Sequence, residues 1–188
     1  MEPPKPDPHM KARSEFFRIV LQDSDQADGT KAVQAGQREA SVSLEDLREQ
    51  GRVFCTGVMP WKPYVVVNDI IVDIIDCPKE HALLLRQIQD AFTQRAREIL
   101  EESGVKIRSI FEAQFLWLKS GIIKAGANEG LAMFPWVPEA VDQPKVALYM
   151  DGSRQELEFL QTPMFITRGH SIEGLNGDIK FLAVPFKC

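Results

Sequence analysis

His81 and His170 are the side chains of this 188-residue chain best suited to moving a proton near neutral pH, because imidazole is the group that titrates there without help. Asp73 and Glu173 are the carboxylates available beside them. Arg168, two residues before His170, could meet an anionic group on a ligand. Ser171 follows His170 directly and Asp178 comes soon after, so the three residue types of a nucleophilic triad are present. Closeness in sequence is not the geometry a triad requires, and a loop histidine hydrogen-bonded to water or backbone is the simpler reading of His170. No catalytic residue is assigned on these grounds. No metal is expected either, since two histidines without a cysteine or carboxylate at ligand spacing do not enclose a cation.

Other spacings approach a known chemistry and then fail. Asp23-x-Asp25 opens like a calcium loop, but Ala27 offers no side-chain ligand, Asp28 stands where the turn wants glycine, and Gln34 stands where a bidentate glutamate must close the site. Gly121, Gly126 and Gly130 with Lys124 suggest a phosphate loop. Lys124 nevertheless precedes its glycine, and no serine or threonine follows to start a helix. Asp69 and Asp73 would be about 13 Å apart on one continuous strand, too far for a retaining carboxylate pair. They are expected to mark its solvent face. No cofactor follows from any of these patterns.

The most distinctive local feature is a repeated tetrapeptide. Pro60-Trp61-Lys62-Pro63 and Pro135-Trp136-Val137-Pro138 each set a tryptophan between prolines, which stiffens the backbone on both sides. A rigid aromatic loses little entropy on binding, so Trp61 and Trp136 are candidate interaction residues. Met133 and Phe134 extend the second of them into an apolar cluster, which is a contact patch if exposed and a lid on the core if buried. The alternative is that each tryptophan plugs the end of the core.

These residues need a scaffold. Residues 1 to 12 carry four prolines and no apolar pattern, and read as a disordered tail. Residues 13–188 read as one domain, with a mobile polar loop at about 22–40. Ser43, with Asp46 three residues on, signals the start of a short helix ending at Gly51. Arg52–Val58 reads as a strand. Tyr64–Asp76 is the clearest strand, rich in β-branched residues, with Asn68-Asp69 as a weaker hairpin signal. Leu84, Ile88, Phe92, Ala96 and Ile99 recur at helical spacing, and define a long helix from Pro78 to Ser103 with Gly104 as its stop. Val105–Leu118 alternates as one half-buried strand, and strand–helix–strand there allows a parallel crossover or an antiparallel return. Residues 119–144 read as Gly- and Pro-rich with apolar patches, loop-like around Met133–Val137. Asp151-Gly152 and Asn176-Gly177 each read as a hairpin turn. The fold class is therefore α+β: a mixed or mainly antiparallel β-sheet packed against one long helix, with C-terminal β-hairpins.

Composition sets the remaining bounds. At 44% apolar and 26% charged, the chain is long enough for its own core and needs no disulfide or metal to hold it. The net charge of −5 repels phosphate backbones and anionic lipid, so neither nucleic acid nor membrane is expected as a partner. Arg95, Arg97, Lys106 and Arg108 are the residues that nucleic acid would have to use. Three cysteines without close pairing, and no apolar leader, suggest a reducing, cytoplasmic setting. Cys55 and Cys77 read as small buried hydrophobes and Cys188 as exposed.

No stretch ties the chain to a known family. The absence of a catalytic signature, together with the proline-held tryptophans, favours a non-enzymatic interaction module. Such a module would be an adaptor, regulator or chaperone-like protein with a protein partner or a second copy of itself. The alternative is a small-molecule-binding domain or enzyme with a pocket between the long helix and the sheet, using His170, Arg168 and His81.

Overall fold

The computed structural model describes residues 43–54, 59–67, 70–136, 144–150, 152–159, 163–175 and 179–188. The proline-rich tail, the polar loop at 22–40, Cys55, Asp69 and Asp178 lie outside the described residues. So does most of Arg52–Val58, whose first residues form a 3-10 turn (Gly51–Phe54) rather than a strand.

Alternating and continuous apolar runs condense into two antiparallel sheets, eleven strands in all among the described residues. The strands are β1 (Trp61–Val67), β2 (Ile70–Ile75), β3 (Ser109–Ile110), β4 (Gln114–Ser120), β5 (Ile122–Lys124), β6 (Glu129–Pro135), β7 (Lys145–Met150), β8 (Ser153–Glu158), β9 (Met164–Thr167), β10 (Ser171–Gly174) and β11 (Ile179–Lys187). The larger sheet runs β1-β2-β4-β11-β6-β9, with β3 also paired to β11; the smaller runs β5-β10-β7-β8. The α+β class of the sequence reading holds, with one long helix, α2 (Ala82–Glu102), and a short one, α1 (Leu44–Gln50).

The larger sheet is buried on both faces. Its inner face meets the smaller sheet through Val72, Leu116, Leu118, Leu131, Met133 and Phe181, against Val146, Leu148 and Ile172. Its outer face meets the helices through Phe115, Phe134, Leu182 and Phe186, against Leu47, Ile88, Phe92, Ala96 and Leu100. This explains one error of the sequence reading. Residues 119–144 contain β5 and β6, not only loop, because a strand covered on both sides reads Leu-Ala-Met-Phe without alternation.

Both helices end as their sequences dictate. Ser43 caps α1: its hydroxyl accepts from the Asp46 amide at 3.1 Å, and Asp46 reaches back to the Ser43 amide at 3.3 Å. α2 closes in a Schellman motif, Val105 N–H to Leu100 C=O and Gly104 N–H to Glu101 C=O, both 3.0 Å. Gly104 sits at φ +73°, a left-handed conformation that strains any residue with a β-carbon although the space around it is open.

Four local expectations are corrected. Tyr64–Asp76 is not one strand but the hairpin β1–β2, with Val67 opposite Ile70 and a bulge between Pro63 and Val65. Val66 consequently points outward, 62% exposed, and Asp73 is buried on the outer face opposite Trp117, 4% exposed, rather than marking the solvent face. Val105–Leu118 is interrupted, because β11 offers no amide at Pro185 and Ala113 is engaged by α2 instead. The Ala113 amide donates to Thr93 Oγ1 at 3.0 Å, and its carbonyl accepts from Gln89 Nε2 at 2.7 Å. The chain returns from α2 antiparallel, β4 beside β2, so no parallel crossover forms. Finally, β10 and β11, on either side of Asn176-Gly177, do not pair as a hairpin: β10 pairs with β5 and β7 in one sheet, β11 with β4 and β6 in the other. The Asp151-Gly152 hairpin does form, Met150 opposite Ser153.

Candidate functional site

A sandwich can hold a ligand between its sheets, under a helix, or at an end. Between these sheets lies the apolar inner core. On the other side of the larger sheet the described residues leave open space. α1 packs across α2 and leaves a cleft of about 520 Å³ over the β6–β9 edge. Phe92 and Ile99 of α2, Phe134 of β6 and Phe165 of β9 form its apolar walls, and Arg48, Arg95, Glu45 and Glu102 provide its polar lining.

The charged groups of the cleft are anchored from behind. Arg48 donates to the Pro135 carbonyl and lies 5.7 Å over the Trp136 ring. Burial pulls its guanidinium below the usual arginine value, with Glu45 acting in the opposite sense; it stays a cation. Arg95 pairs with Glu98 at 3.3 Å. The acid–base side chains in reach of the cleft are therefore Glu45 and Glu102, not a histidine.

The residues singled out in the sequence are dispersed. His81 stands at the N-terminal end of α2, edge-on to Phe54 at 6.2 Å. Arg168 lines a second cavity beside Gly104, just past the other end of that helix. Twenty-one helical residues separate the two ends by roughly 30 Å, so His81 and Arg168 cannot serve one site. His170 is half-buried in the turn after β9; its amide donates to Thr167 C=O at 2.9 Å and its carbonyl accepts from Ala125 N–H at 3.0 Å. Glu173 accepts from the Tyr149 hydroxyl. Among the described residues no three His, Cys, Asp or Glu side chains are placed to hold a metal ion.

Trp136, 3% exposed, is a core residue, 4.9 Å from Phe115 and 5.3 Å from Phe92 between ring centres. Phe134 packs in the same layer and Met133 in the inner core, so the apolar cluster is buried. Trp61 is half-buried against Trp117 at 5.6 Å. Lys119 and Lys180 lie over the Trp117 ring at 4.4 and 4.5 Å, and Lys119 pairs with Asp73 at 2.5 Å. That cluster braces the outer face beyond α2. Cys77 and Cys188 are free and half-buried. Burial pushes the Cys77 thiol up, with Glu80 and Asp76 adding to the effect, so it stays protonated rather than reactive.

The architecture resembles that of a known enzyme. A Pseudomonas putida prolyl-4-hydroxylase superposes with a TM-score of 0.51 at 14% identity, over 77% of this chain and 85% of that one. The polyketide cyclase RemF from Streptomyces resistomycificus follows at 0.34 and 12%, over 68% and 74%. A predicted oxalate decarboxylase from Thermotoga maritima stands at 0.34 and 14%, over 71% and 96%. No family model and no curated protein matches the chain. At these identities the first likeness is one of fold.

The expectation of a non-enzymatic interaction module is overturned here. The chain shares its fold with an enzyme, and Met133, Phe134 and Trp136, which were to carry the contacts, are inside the domain. The alternative pocket between the long helix and the sheet is present. Sequence reasoning placed Phe92 and Ile99 on the core stripe of α2, and Arg95 among residues for nucleic acid. It missed Arg48 and Phe165, which reach the cleft only because α1 and β9 fold across it from distant parts of the chain.

Proposed function

We propose that the protein is a small-molecule-binding domain whose ligand occupies the cleft between α1, α2 and the β6–β9 edge. The observation that carries this is the cleft itself: about 520 Å³, inside the range of small-molecule sites, with aromatic walls and anchored arginines. The rings of Phe92, Phe134 and Phe165 suit an apolar, ring- or chain-like body. A cytoplasmic setting accords with the free thiols of Cys77 and Cys188; no helix among the described residues is long and apolar enough to cross a membrane.

N-phenylnaphthylamine, an uncharged probe that brightens in apolar surroundings, tests the reading. It is expected to bind one per chain, and Phe165→Ala to weaken it about fivefold, from the loss of roughly 1 kcal/mol of apolar contact. Binding that ignores Phe165→Ala in a folded variant would sink the proposal. Native mass spectrometry of gently purified protein is expected to show a small added mass.

A further inference from the structure

We infer that the ligand is an amphipathic anion, held with its apolar body in the cleft and its acid group at a basic cavity that continues the same trench. The inference rests on the cleft reading above and adds the chemical class of ligand.

The second cavity measures about 790 Å³, and Lys106, Arg108, Arg168 and Asn128 are among the residues that line it. Both of its long walls are shared with the cleft. At the C-terminal end of α2, Glu102 lines the cleft and Gly104, two residues on and just past the helix, lines the cavity. On β9, Phe165 lines the cleft and Thr167 the cavity. Residues two apart on a strand share a face about 7 Å apart, so the two spaces are neighbours on one surface. Phe165 and Arg168 are three positions apart, at most roughly 10 Å, since β9 ends at Thr167 and the chain turns at Arg168. A ligand with an acyl- or aryl-sized body spans that distance.

The charged side chains at the far end are all cationic, with the carboxylate of Cys188, which also lines the cavity, set against them. Lys106, Arg108 and Arg168 enter from two separate elements and form no ion pair among the described residues. In a chain of net charge −5, this is a local reversal of sign. Opposing it are Glu102 at the junction and the negative end of the α2 dipole. The Schellman hydrogen bonds, however, already occupy the Leu100 and Glu101 carbonyls. Arg168 also sits at φ +48° in the turn Thr167–His170, with Gly169 at +86°. Glycine or asparagine is the usual occupant of such a position. An arginine is held there at a cost to the fold, and it supplies the third cation. Guanidinium pairs take carboxylate and phosphate alike, so the shared class is an acid headgroup on an apolar body.

Dansylaminoundecanoic acid and its methyl ester, titrated at low salt above neutral pH, separate the two claims. The acid is expected to bind at least tenfold tighter than the ester, and added salt to narrow the gap. The double variant Arg108→Gln, Arg168→Gly should bring the acid to the ester's affinity and leave the ester unchanged. Arg168→Gly alone should melt no lower than the parent, since glycine relieves the positive φ, so lost binding cannot be put down to unfolding. Phe165→Ala should weaken both probes. Decanoate and decyl phosphate as competitors distinguish a carboxylate from a phosphate ligand. Equal affinity for acid and ester in the parent protein, with both weakened by Phe165→Ala, overturns the anion inference and leaves the cleft reading standing. If neither probe binds, or if neither responds to Phe165→Ala, both readings fall together.

Discussion

Gly51 shows how much a single position can carry without any unusual backbone. Its φ of −74° suits any residue, and it ends α1 as the sequence suggested. What it cannot accept is volume. A β-carbon there would stand 2.6 Å from Trp136 Cζ2 and 2.8 Å from Ile88 Cδ1, both in the helix-facing core. Trp136 is itself held by Phe92 and Phe115 and cannot retreat. Gly51→Ala is therefore expected to destabilise the domain by about 1–3 kcal/mol, an overpacking cost that chemical denaturation will measure. An unchanged midpoint would mean that α1 is free to shift away from the sheet. Sequence marked both residues, Gly51 as a helix stop and Trp136 as an interaction residue. Their mutual contact, which explains both, spans eighty-five positions and was not legible.

At the scale of elements, local chemistry was readable and pairing was not. The capping box at Ser43 and the Schellman stop at Gly104 depend on residues within a few positions of one another, and both stand where the sequence put them. The single strand at Val105–Leu118 and the pairing of the strands on either side of Asn176-Gly177 failed because the hydrogen-bond partners are remote: Gln89 and Thr93 in one case, strands of two different sheets in the other. α1 is short enough that its cap matters. Ser43→Ala is expected to cost about 1 kcal/mol, and because α1 forms a wall of the cleft the loss should surface there. Faster hydrogen exchange at the α1 amides, together with weaker N-phenylnaphthylamine binding, is the expected pair of results. Faster exchange with unchanged binding would detach α1 from the cleft.

The whole molecule is three layers sharing one central sheet. Phe181 and Leu182 are adjacent on β11, yet the first enters the inner core and the second the helix-facing core. Neither layer can loosen without moving a strand that carries the other. Thermal unfolding is expected to be one transition, with coincident midpoints from far-ultraviolet dichroism and from the fluorescence of Trp61, Trp117 and Trp136, which report the outer face. Separate midpoints would show that the helical layer melts on its own.

By itself, the sequence determined the fold class, the long helix with its stop, the cap of α1 and the Asp151-Gly152 hairpin. Each of these is written in periodicity or in contacts between near neighbours. Only the tertiary structure decided which sheet a strand joined, that Met133, Phe134 and Trp136 were buried, and that Arg48, Phe92 and Phe165 would wall one cleft. Those facts depend on which faces meet, and the apolar pattern that makes a face bury itself does not say against what.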